Sequence, residues 1–276
     1  MLLTCFKHDF KALSRTLVPA LIGIAGAAVF GFLSALTFSL TEKSDTAQTG
    51  AALPGALNAA AVGSLIVDGM LLAAAMTVIV VLIFVRFYRS MVTDEAYLTF
   101  TLPVTPGRLI ASKFLASGVW MLIGGAAVTA AGFVVAAGFE ASDPFQLVRV
   151  FWYLIREAAA EVPLEFFLAC LLLLISAVRS YFQITGAILF GASIVRRHKV
   201  LVSILLVLGV NFVVGTVLTV FGVATFFQRL YVAAYTDTVS IGAVTWLIVQ
   251  CAVNALLAAA FWWVNVRIAK KSVNIE

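Results

Sequence analysis

Charge is what this sequence has least of: 11% of its residues are Asp, Glu, Lys or Arg, where a soluble domain carries about 25%. That scarcity excludes an ordinary water-facing fold. Histidine and cysteine are equally thin. His8 and His198 lie far apart in sequence, and Cys5, Cys170 and Cys251 have no spacing suited to a metal or a redox pair. Catalytic signatures are missing too. The chain contains no GxxxxGK[ST] phosphate loop, no GxGxxG after a strand, no GxSxG elbow and no HExxH. It therefore has no recognisable means of hydrolysing ATP, and any driven process needs a motor on another polypeptide.

What it does have is hydrophobicity. Apolar residues make up 63% of the 276 positions, and the mean hydropathy is +1.11. Six runs reach the roughly 20 apolar residues that a spanning helix needs: about 17–40, 65–85, 114–138, 164–188, 200–227 and 240–264. The alternation of about ten residues expected of barrel strands is absent. The expected fold is an all-α integral membrane protein, one transmembrane domain over 1–276 with no soluble appendage and no internal repeat.

Two segments outside these runs have helical periodicity. In residues 1–16, Leu3, Phe6, Phe10 and Leu13 share an arc that continues to Leu17, beside Lys7, Lys11 and Arg15. This predicts an interfacial amphipathic helix ahead of an uncleaved first span. Between spans three and four, Ser142-Asp143-Pro144 reads as a helix start. Phe145, Val148, Trp152 and Ile155 then share one face, and Pro163 ends the segment. Span one carries small residues four apart, Ala27 and Gly31, suited to close helix contact.

Basic residues set the orientation. Lys7, Lys11, Arg15, Arg86, Arg89, Arg108, Lys113, Arg196, Arg197, Lys199, Arg267, Lys270 and Lys271 fall on one side, against Lys43, Arg149, Arg156 and Arg229 on the other. Both termini are expected in the cytoplasm. The net charge of +5 reflects these loops rather than nucleic-acid binding.

Ionisable or amide side chains inside spans are costly and mark candidate sites. Arg179 is the clearest. It is expected either to snorkel toward the cytoplasmic interface, because residues 164–195 exceed one crossing, or to meet an anionic lipid or substrate or a gating partner. Asn211, Gln250 and Asn254 are placed to bond between helices or line a pathway. Asp68 and Glu165, near the outer ends of their spans, read as interfacial. No chain of intramembrane carboxylates is present to relay protons.

The most distinctive stretch is Arg86–Lys113, RFYRSMVTDEAYLTFTLPVTPGRLIASK, read as a structured cytoplasmic loop between spans two and three. Thr93 or Asp94 caps a short helix through Leu98, Pro103 forces the residue before it to be extended, and Thr105-Pro106 starts the next helix. Its aromatic residues and Leu98 suit either a partner's groove or a headgroup surface.

In this stretch Asp94, Glu95, Tyr97, Leu98, Thr101, Leu102, Pro103 and Lys113 resemble the first cytoplasmic loop of bacterial ATP-binding-cassette type-2 (exporter-type) permeases. The resemblance implies that this loop holds a coupling helix and docks on a separate cassette ATPase through Asp94, Glu95, Tyr97, Leu98, Thr101, Leu102 and Pro103. It also implies that ATP and Mg are held by that partner and that two permeases, identical or sister copies, work as a dimer in the inner or plasma membrane. The cargo would be an amphipathic peptide, antibiotic or lipid-like compound. The larger outer helix falls between spans three and four here, where the family has it before the last span. A non-transporting membrane scaffold or signalling subunit is the alternative.

Overall fold

A computed structural model describes residues 2–45, 52–93, 96, 104–139, 145–194, 198–235 and 239–273. Among these it contains seven α-helices and no strand: α1 (Leu2–Asp45), α2 (Ala52–Val92), α3 (Pro106–Phe139), α4 (Gln146–Glu161), α5 (Pro163–Ile194), α6 (Lys199–Tyr235) and α7 (Val239–Val273). All but α4 are long and apolar enough to cross a bilayer. The chain is a multi-pass membrane protein.

The helices outrun the hydrophobic runs, because a helix does not end where the hydrocarbon does. The expected break between an interfacial helix and span one is not seen. Residues 2–45 form one helix that passes through Pro19. Between the first two apolar runs, the chain is helical through Asp45 and again from Ala52. The alanines there favour helix, and Pro54 falls in the first turn of α2, where a missing N–H costs nothing. The Arg86–Lys113 loop shrinks most. Arg86 and Arg89 belong to the last turns of α2, where cations suit the negative helix end, and Lys113 lies inside α3. The helix start at Thr105-Pro106 is as expected. Thr105 O accepts from Arg108 N (2.9 Å) and Leu109 N (3.2 Å). Similarly α4 ends at Glu161 and α5 opens at Pro163. The Ser142-Asp143-Pro144 start and Arg196-Arg197 lie outside the described residues.

Two compact units are distinguished. The first comprises Met1–Arg86 and Ala111–Arg156. Its core joins Leu13, Leu17, Ile24 and Ala28 of α1 to Ile79 and Ile83 of α2 and Ala116, Trp120 and Ala131 of α3. From Phe6 onward the arc predicted for an interfacial surface is turned inward, with Leu17 fully buried and Phe6 and Phe10 packed on the core, while Leu3, Lys7, Lys11 and Arg15 stay exposed. Three contacts pin this end of α1 to α3. Asp9 pairs with Lys113 (3.2 Å), Ser112 Oγ donates to Asp9 Oδ2 (3.1 Å), and Trp120 Nε1 donates to Phe10 O (3.2 Å). The Phe10 ring stacks on Trp120 at 5.2 Å. At the far end of the same helix pair, Gly138 lets α3 approach α1, and Ser39 Oγ donates to Gly138 O (3.3 Å).

The second unit comprises Phe87–Ile110 and Glu157–Glu276. In it α5 packs against both α6 and α7. Lipid tails are as apolar as leucine, so these contacts depend on close fit and interhelical hydrogen bonds. Gly191 brings α5 against the Ser203 backbone of α6, and Ser203 Oγ donates to Ile188 O (3.2 Å). Gly186 admits Asn265 of α7. The Asn265 Nδ2 group donates to Phe182 O and Thr185 Oγ1, each at 3.0 Å. Trp262 meets Phe182 edge to face at 5.0 Å.

Candidate functional site

Polar atoms inside spanning helices are the places where this chain departs from what lipid prefers, and in the second unit three of them form one chain. Arg179 sits at the middle of α5, about 24 Å from the helix start and about 22 Å from its end at 1.5 Å per residue. Its Nη1 donates to Gln183 Oε1 (2.5 Å) and its Nη2 to Ser180 Oγ (3.3 Å). Gln183 Nε2 then donates to Asn211 Oδ1 of α6 (3.0 Å), and Asn211 Nδ2 donates to Val207 O (2.9 Å). Gln183 is buried, Arg179 half-buried and Asn211 exposed. A guanidinium at this depth costs about 3 kcal/mol on insertion scales. Tying it one turn along its own helix to an amide that is itself bonded across to α6 offsets part of that cost.

Two of the three predicted intramembrane residues, Arg179 and Asn211, are therefore brought together. The third is not. Asn254 donates from Nδ2 to Gln250 O of its own helix (2.8 Å), a packing role in the buried face of α7. Gln183, the link, was missed, although it lies four residues from Arg179, the spacing at which helical side chains meet. Asn265, fully buried with Oδ1 lacking a partner among the described residues, was also missed, as was the Asp9–Lys113 pair. Glu165 occupies the first turn of α5, where a carboxylate suits the helix dipole. The predicted coupling residues Asp94, Glu95, Tyr97, Leu98, Thr101, Leu102 and Pro103 lie outside the described residues.

Asp68 differs from its interfacial expectation. In the first unit its side chain is 2% exposed and lies against Gly31 of α1 and near Val135 of α3. Its Oδ1 has no hydrogen-bond partner among the described residues. Gly31, predicted as a small residue for helix contact, is thus the space that the carboxylate fills. Gly31→Ala should cost about 1–3 kcal/mol, because both neighbours are ends of rotatable side chains. Asp68→Ala should remove part of that penalty, leaving the contact with Val135, in a double-mutant cycle read by thermal melting in detergent. An unchanged midpoint for Gly31→Ala contradicts this packing.

Among the described residues no group of three or more His, Cys, Asp or Glu is placed to hold a metal ion. No protein-family model, curated protein or solved structure matches the chain.

Proposed function

We propose that the chain is the membrane-spanning permease subunit of an ATP-binding-cassette exporter. It pairs with a second copy or a sister permease and is driven by a separate ATPase subunit that holds the ATP and Mg. In this reading it is a multi-pass protein of the inner or plasma membrane with both termini cytoplasmic, and it moves an amphipathic peptide, antibiotic or lipid-like compound outward. The observation that carries the reading is the reach of α2 and α3. With 41 and 34 residues, they extend about 62 and 51 Å, against a hydrocarbon core of about 30 Å. The segment between them, residues 93–105, holds the family-like Asp94–Pro103 sequence. A push on that segment enters two unbroken helices whose buried faces meet through Ile79, Ile83, Ala116 and Trp120. Rigid helices pass on displacement where a flexible loop would absorb it.

The test is co-purification from native membranes in mild detergent, followed by ATPase assays on the reconstituted complex. A stoichiometric cassette ATPase is expected. Glu95→Lys and Leu98→Asp should lower permease-stimulated hydrolysis by about tenfold or more, as for central interface residues, with melting unchanged. Recovery without any ATPase, where a control transporter keeps its own, would overturn the reading in favour of a scaffold or signalling subunit.

A further inference from the structure

We infer that Arg179, Gln183 and Asn211 form an intramembrane binding site for the oxyanion of an amphiphile, a phosphate or carboxylate head carried on an apolar tail. The direction of the hydrogen bonds points to this chemistry. Each bond runs the same way: Arg179 to Gln183 Oε1, Gln183 to Asn211 Oδ1, and Asn211 to the Val207 carbonyl. Every side-chain carbonyl in the chain is thus engaged by the donor before it. The hydrogens left over all belong to N–H groups, on the guanidinium and on both amides. Nε of Arg179 is buried and has no partner among the described residues. A guanidinium that keeps a buried, unpartnered N–H favours an anion over a cation.

Charge leads to the same conclusion. Among the described residues no carboxylate is placed within ion-pair distance of Arg179. A guanidinium at mid-helix without a counter-charge among the described residues is a group that an anion would neutralise. Access is present as well, since Asn211 is exposed and Arg179 half-buried. One turn before Asn211 on the same face of α6, Leu208 is an exposed apolar side chain, suited to an acyl tail rather than to a free inorganic ion. This site does not require an ATPase partner, so its failure and the failure of the transporter reading are separable.

The experiment uses the full chain in nanodiscs of phosphatidylcholine alone, of phosphatidylcholine with phosphatidylglycerol, and of phosphatidylcholine with inorganic phosphate in the buffer. It reads retained lipid by native mass spectrometry and the thermal midpoint of each sample. The wild type should retain phosphatidylglycerol over phosphatidylcholine by about tenfold or more, as expected for a charge-assisted pair. Arg179→Gln, close in shape and uncharged, should bring the two lipids to parity, while Arg179→Lys keeps part of the preference and Asn211→Ala weakens it. The midpoint in phosphatidylcholine alone establishes that each variant is folded. Stabilisation by inorganic phosphate that depends on Arg179 would assign the oxyanion site to a soluble source. An undiminished phosphatidylglycerol preference in a folded Arg179→Gln, or no anion effect on the wild type, would overturn the inference.

Discussion

Gly138→Ala is expected to lower the stability of the first unit by about 3 kcal/mol, the upper end of the overpacking range, read as a fall in thermal midpoint in detergent. A Cβ at this position would lie 2.7 Å from Phe32 O, 2.8 Å from Ala35 Cβ and 3.2 Å from Leu36 N. Two of these three atoms are backbone of α1 and have no rotamer to change. The helices must separate, and the Ser39–Gly138 hydrogen bond (3.3 Å) goes with them. Removing that bond alone, by Ser39→Ala, should cost about 1 kcal/mol or less, so the two variants separate steric fit from hydrogen bonding. Gly132→Ala on the same helix is the control, since nothing lies within 4 Å of a Cβ there. Equal midpoints for the alanine variants at 132 and 138 would refute the close approach of α1 and α3.

The second large effect is expected at Lys113. Its ammonium pairs with Asp9 at 3.2 Å, with side chains 10% and 22% exposed respectively. Lys113→Met leaves the carboxylate with Ser112 Oγ as its remaining named partner. A fully buried pair broken on one side costs about 3–5 kcal/mol. Partial exposure of Asp9 and the surviving serine bond reduce the expectation to about 1–3 kcal/mol. The damage should be local as well as global, because the pair fastens the first turns of α1 to α3. In a background where Cys5 is the sole cysteine, maleimide labelling of Cys5 should accelerate in Lys113→Met. Asp9→Asn combined with Lys113→Met should recover much of the loss, since no charge is then stranded. Labelling and melting that match the wild type in Lys113→Met would show that the pair contributes nothing.

These two residues also mark what the sequence could and could not reveal. Run length and composition alone located all six apolar helices, because a bilayer demands about 20 apolar residues per crossing whatever the fold. Helix ends were harder. Charged residues such as Arg86 and Lys113 were read as loop, yet the backbone hydrogen bonds of α2 and α3 run on beyond the apolar stretch. The spacing of small residues picked out Gly31 in α1, but nothing in the sequence separated Gly138 from the other glycines of α3. Gly23, Gly26, Gly125 and Gly132 meet nothing within 4 Å, whereas Gly31 and Gly138 meet another helix at once. That distinction rests on helix rotation and depth, which periodicity in a uniformly apolar segment does not encode. For the candidate site, Arg179 and Asn211 stood out as polar residues in apolar runs. Their connection through Gln183 needed the pairing of α5 with α6.

Pro19 gives α1 a property that neither end of the helix has. Without an N–H, it leaves the Arg15 carbonyl with no α-helical donor, so one rung of the ladder is missing between two fixed points. Below it Asp9 and Phe10 are fastened to α3; above it Gly31 receives Asp68. A helix that lacks a rung bends at the least cost there, even with Leu17 and Ile24 packed in the core on either side. Amide hydrogen exchange around residues 15–19 should then outpace that of the flanking turns, making this turn the spring of an otherwise stiff 44-residue helix.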